Sequence, residues 1–109
     1  MDNKKNDEFY VKQILDDLTK ISSYTSNVSY EDFLNDDLMV DAVLFRLIQV
    51  TENIKRLSSE YRNSKSSVNW SLIIGFRNRI VHDYGKTDYS VVYEVVTNDI
   101  PQLIEVLTK

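Results

Sequence analysis

Two glycines and one proline are the only strong chain breakers in this sequence of 109 residues. A fold of many short strands needs a turn residue every few positions, with glycine and proline the strongest of them. This chain cannot supply them, so its backbone must run in a few long segments. The apolar residues in those segments recur every three to four positions. That spacing is the period of an amphipathic α-helix.

The first helix is expected from about Asp7 to Tyr24, with Tyr10, Ile14, Leu18 and Ile21 on one face and Lys12, Asp16, Asp17 and Lys20 between them. The polar run TSNVS ends it. Ser29 can cap a short turn, YEDFLND, where Asp32 stands as a capping-box acid. A long helix is expected from about Asp37 to Tyr61. Leu38, Ala42, Phe45, Ile48 and Leu57 mark its main stripe, which Leu44, Leu47 and Ile54 widen. Asp36 and Asp37 suit its positive end, as does the rest of the EDFLNDD cluster, which resembles a metal site in composition only. After RNSKSS, Asn69 can cap a helix from Trp70 to about Asp83, with Gly85 as its stop. Asp88 or Thr87 can cap YSVVYEVV. Its β-branched residues also allow a strand, but no partner strand is evident. NDIP marks a kink or restart, since Pro101 has no N–H to donate, and QLIEVL closes the chain. The sum is an all-α, antiparallel bundle of four to five helices in one domain, 1–109.

Composition narrows the chemistry. There is no cysteine and a single histidine, which excludes disulfides and a Cys/His zinc site. No apolar run approaches the roughly 18 residues of a membrane span, and MDNKKNDEFY lacks the core of a signal peptide. A soluble cytoplasmic protein is expected. The net charge of −4 argues against a sequence-blind nucleic-acid coat. The charge is uneven, however. Residues 1–51 carry 5 basic and 10 acidic residues, residues 52–86 carry 7 and 3, and residues 87–109 carry 1 and 4. The middle block reads either as a solvated face or as a phosphate-attracting patch.

That basic block contains FRNRIVHDYG, residues 76–85, and the lone histidine. On a helix, with Trp70 at zero and about 100° per residue, Ile73, Ile74, Phe76 and Ile80 form one apolar arc. Arg77, at about 340°, falls inside it. A guanidinium cannot sit there unpaired. It must meet a buried carboxylate, or the arc must border a cleft or a subunit seam. His82 lies about 140° away, with Asn78 one turn behind it and able to orient the imidazole. Histidine is the usual general acid or base near neutral pH, and arginine offers a fixed charge and a donor fork for phosphate. Together they suit metal-free RNA cleavage. With one histidine per chain, a two-histidine acid–base pair would require a dimer with a shared site. Trp70 reads as a core or interface anchor, not as a base-stacking platform.

FRNRIVHDYG resembles the R-x4-H-x-Y signature of HEPN domains in their HepT-like branch. The flanks VNWSLIIG, FLNDDLMVDAVLFRLIQVTENIKRLS and TDYSVVYEVVTNDIPQLIEVL are similar to that family over nearly the whole chain. One departure is VTENIK, where the family often has a Gly-Glu-Ala step, which puts close packing there in question. The resemblance implies a homodimeric all-α toxin of a prokaryotic toxin–antitoxin module that cleaves RNA with no metal or other cofactor. Arg77 and His82 would be catalytic at a dimer cleft and Asn78 supporting. The implied partner is an MNT-type nucleotidyltransferase antitoxin, able to assemble with the toxin into a larger hetero-oligomer and to transfer AMP to Tyr84. A non-catalytic HEPN module that binds such a partner is the alternative, and a purely structural bundle is the third.

Overall fold

The computed structural model describes residues 3–82 and 88–109, with the backbone alone for residues 3–5, 79, 81 and 82. The described residues form seven α-helical segments and no strand: α1 (Asn3–Thr25), α2 (Tyr30–Leu34), α3 (Asp37–Lys55), α4 (Ser59–Ser64), α5 (Trp70–His82), α6 (Tyr89–Glu94) and α7 (Ile100–Leu107). The segment YSVVYEVV, which sequence allowed as a strand, is helical.

Local chemistry sets the boundaries. Asn27 takes the left-handed conformation at φ 61°, a position that asparagine tolerates where this glycine-poor chain must turn after α1. Ser29 Oγ accepts from Asp32 N, Asp36 Oδ1 from Met39 N, Asn69 Oδ1 from Leu72 N, and Asp88 Oδ1 from Ser90 N. Each of these side chains satisfies a first-turn N–H that has no partner inside its helix. Gly85, the expected stop of α5, lies outside the described residues.

The long central helix is shorter than its sequence suggests. It ends at Lys55, and Ser58 starts α4 by accepting from Tyr61 N. Asp7 makes this break worthwhile. Its carboxylate accepts from Ser58 N at 2.8 Å and from Ser58 Oγ at 2.6 Å, so the chain end of α3 is fastened to the start of α1. Burial, followed by the nearby Asp7 charge, raises the Tyr61 phenol above its usual pKa.

The bundle's directions follow from its long-range contacts. Asp7 meets Ser58 and Asp17 meets Arg46 at 2.7 Å, so α1 and α3 are antiparallel. The Asp17 carboxylate holds the Arg46 guanidinium even more firmly charged than usual. Tyr93 Oη donates to Val28 O near the end of α1, whereas Leu107 shares a groove with Val11 and Leu15. The C-terminal helices therefore also run antiparallel to α1. They form one rod, because residues Val95–Asp99 make a π-helical turn that joins α6 to α7. A widened turn absorbs Pro101, whose ring would clash with the carbonyl four residues earlier in a regular helix. The expected kink or restart is thus a local widening.

The core is built by Ile14, Leu18 and Ile21 of α1, Phe33 of α2, and Val40, Val43, Leu44, Leu47, Val50 and Ile54 of α3, closed by Val92, Val96 and Ile100. This corrects the expected stripe of α3. Leu38 is 80% exposed and Phe45 57% exposed. They lie on the side of α3 opposite the core, about 180° from its buried centre. The VTENIK departure packs closely: Thr51 and Asn53 are both buried. Thr51 Oγ1 donates to Ile48 O and Asn53 Oδ1 accepts from Arg56 Nη1.

Removing the Asp7 carboxylate leaves the Ser58 N–H without its partner. Asp7→Ala is expected to lower the unfolding free energy by about 1–3 kcal/mol, measured by urea denaturation. Ser58→Ala keeps the backbone N–H contact to Asp7 but loses the Oγ contact and the cap on Tyr61 N, and should cost about 0.5–2 kcal/mol.

Candidate functional site

The motif sits on α5, and α5 leans on α3. Trp70 Nε1 donates to Arg62 O, beyond the end of α3, whereas Arg77 meets Glu52 inside α3. α5 therefore runs back along α3. Its inward arc is as expected: Ile80 is buried, and Trp70, Ile73, Ile74 and Phe76 pack half-buried against the core. Trp70 is an anchor, as its residue type and position suggested. Leu72 points outward and is 69% exposed.

Arg77 occupies this arc and is paired. Its Nε lies 3.0 Å from Glu52 Oε1, with the two side chains 24% and 33% exposed. Both atoms are themselves buried, yet the N–H is not aimed well enough along that line to form a hydrogen bond. The contact is an ion pair at hydrogen-bonding distance. Arg77 Nη1 donates to Asn78 Oδ1 at 3.1 Å, so Asn78 supports the arginine from the neighbouring position. Lys55 Nζ stands 3.9 Å from the same Glu52 oxygen. One carboxylate therefore has two cations beside it.

The dilemma posed by Arg77 in an apolar arc resolves in an unexpected place. Its partner carboxylate is not deep in the core. Glu52 follows Leu38 and Phe45 at successive intervals of seven residues along the outer stripe of α3. Glu52 was not singled out from sequence. The available signal was an acid continuing an apolar stripe within an otherwise basic block. The α5 backbone reaches His82, but the His82 side chain lies outside the described residues, as does Tyr84. The expected approach of Asn78 to His82 is therefore not on view. Among the described residues, the groove of about 640 Å³ between α1, α4 and the C-terminus has no lining residue from α5. No helix among the described residues is long and apolar enough to cross a membrane.

The sequence model of the ribonuclease HepT-like family matches residues 14–109. The chain belongs to that family. It is 30% identical over 94 residues to a Caldanaerobacter subterraneus subsp. tengcongensis protein named "Putative RNase TTE0752", covering 86% of this chain and 84% of the relative. It is 24% identical over 101 residues to "Putative RNase MJ1380" of Methanocaldococcus jannaschii, covering 93% of each. It is 26% identical over 100 residues to "Probable ribonuclease HepT" of Thermococcus cleftensis, covering 92% of this chain and 91% of the relative. No solved structure matches it.

In this HepT-like chain the Glu52–Arg77 pair is partly solvated, and such pairs add little to folding. Arg77→Ala is expected to lower the unfolding free energy by less than about 1 kcal/mol, read from chemical denaturation. A loss of about 3 kcal/mol would instead mark a buried structural pair.

Proposed function

We propose that this chain is the toxin of a prokaryotic toxin–antitoxin module, a metal-independent endoribonuclease that acts as a homodimer. The observation that carries this reading is the placement of Arg77. The guanidinium is anchored on the outer ridge of α3, at the end of the uncovered Leu38–Phe45 stripe. Two exposed apolar residues one heptad apart make a seam for a second copy. Such a seam would bring two copies of the motif toward one cleft, which supplies a second histidine.

The chemistry uses what each side chain offers. Neutral His82 takes the proton from the ribose 2′-OH, and the oxygen attacks the adjacent phosphorus. The P–O5′ bond breaks, giving a 2′,3′-cyclic phosphate and a 5′-OH end, with the partner copy's imidazolium returning a proton to the leaving oxygen. Arg77 stabilises the charge that grows on the phosphoryl oxygens. Asn78 holds the guanidinium in place. No metal enters the sequence of steps. Control falls to Tyr84. An MNT-type nucleotidyltransferase antitoxin would attach AMP by attack of the Tyr84 hydroxyl on the α-phosphate of ATP, with pyrophosphate released. The adduct adds bulk and negative charge two residues from His82, where RNA phosphate must bind.

The second reading is a non-catalytic HEPN module that binds a nucleotidyltransferase. The overall acidic balance of −4 favours protein contacts over nucleic acid. Purified protein incubated with RNA in EDTA separates the two. Cleavage to cyclic phosphate ends, lost by about 100-fold or more in His82→Ala and in Arg77→Ala, is the expected result. Intact RNA with wild-type protein, or undiminished cleavage by His82→Ala, points to the binding module. Phe45→Asp should convert the dimer to monomer in light scattering and abolish cleavage with it. A variant that stays dimeric would place the seam elsewhere.

A further inference from the structure

We infer that Glu52 is a positioning residue of the site, holding Arg77 by its Nε so that the outer nitrogens of the guanidinium face an RNA phosphate. This rests on the ribonuclease reading given above. The case begins with cost. A carboxylate beside an anion-binding arginine repels the substrate, and 3.0 Å is close enough for that repulsion to matter. Nor does the core need Glu52. It lies on the outer stripe of α3 with Leu38 and Phe45, away from the buried residues Val40, Val43, Leu47, Val50 and Ile54. Its block of the chain is otherwise basic, 7 residues against 3. An acid in that position requires a compensating benefit, and orientation of Arg77 is the benefit the geometry offers.

The contact has the form that such a role needs. Glu52 meets Nε, the inner nitrogen, while Asn78 meets Nη1. Two fixed points on a planar group leave it no free rotation. Arg77 also stands among Ile73, Ile74, Phe76 and Ile80, which offer it no other acceptor of their own side chains. Without Glu52 the guanidinium would seek water and swing away from the ridge. The Nε–H is near Oε1 but misaligned. Catalytic hydrogen bonds are often loose before substrate arrives and tighten in the loaded complex. A small rotation of Arg77 onto a phosphate could align this one.

The prediction separates orientation from charge. Glu52→Gln keeps the side chain's size and an acceptor oxygen but removes the charge. It should lower kcat/KM for RNA cleavage at least tenfold, although the lost negative charge by itself would ease the approach of an anion, because the guanidinium is no longer held toward the phosphate. Glu52→Asp, one methylene short, should fall between Gln and wild type. Nitrogen-15 NMR of the Arg77 Nε–H provides a second readout, with solvent exchange expected to be at least tenfold faster in Glu52→Gln. Unchanged thermal melting would show that the variants fold. Full cleavage by Glu52→Gln, beside an inactive Arg77→Ala, overturns the positioning role alone. Unchanged Nε–H exchange also overturns it. Wild-type protein that leaves RNA intact overturns the role together with the ribonuclease reading on which it rests.

Discussion

Burial of one face of α3 is the constraint on which the other elements depend. Val40, Val43, Leu44, Leu47, Val50 and Ile54 give this helix an unbroken apolar side, and α1 covers it in antiparallel register. Two polar ties fix that register, Asp17–Arg46 in the middle and Asp7–Ser58 at the end. Hydrophobic burial has no direction of its own. A slide of one turn along α3 would still bury leucine and valine. It would also leave Asp7 and Asp17, both buried, without partners, and an unpaired buried carboxylate is too costly to tolerate. The apolar face thus provides the driving force, and the two carboxylates select one alignment.

α1 takes much of the inner face of α3, and the motif helix packs along its flank, with Ile80 reaching the core and Arg77 the outer side. α5 takes that position over the C-terminal half of α3, where Glu52 receives Arg77. The N-terminal half, with Leu38 and Phe45, stays uncovered. The site is therefore carried on the surface of the bundle, and no residue of the central core has to be sacrificed to chemistry. Residues that bind or react need exposure and unbalanced charge. Residues that hold the fold need the reverse. Here α3 serves both demands on opposite faces.

Much of this was legible in the sequence, and the rest failed for identifiable reasons. The caps at Ser29, Asn69 and Asp88 were readable because each depends on a side chain within three residues of the N–H it satisfies. The apolar arc of α5 was readable for a similar reason, since a single periodic face decides it. α3 was misread because it carries two apolar arcs, and residue type alone does not say which faces the core. Leu38 and Phe45 are as hydrophobic as Val43 and Leu47. The break at Ser58 was missed because its cause is Asp7, 51 positions away, and the run TENIKRLSSEY is locally acceptable as helix. Glu52 was missed on the same grounds: its partner, Arg77, lies on another element. The family signature drew attention to Arg77, Asn78, His82 and Tyr84, whereas the VTENIK step that contains Glu52 was read only for its packing.

The same division explains why the motif helix and the proposed second copy belong together. α5 lies on the rim, with α3 as its main support. Its own outward residue Leu72 and the Leu38–Phe45 stripe are, among the described residues, the apolar side chains left most open along this pair of helices. A chain of 109 residues has a small core, and burying about two-thirds of its unfolded surface leaves a narrow margin. On the proposed reading, a second copy laid against this ridge would add burial where support is thinnest. It would also lower the dielectric around Arg77 and Glu52. Charges so shielded from water act more strongly on a phosphate and on each other. Assembly would then complete the site electrically as well as sterically, and the isolated chain would hold its arginine in place without exposing a fully formed catalyst.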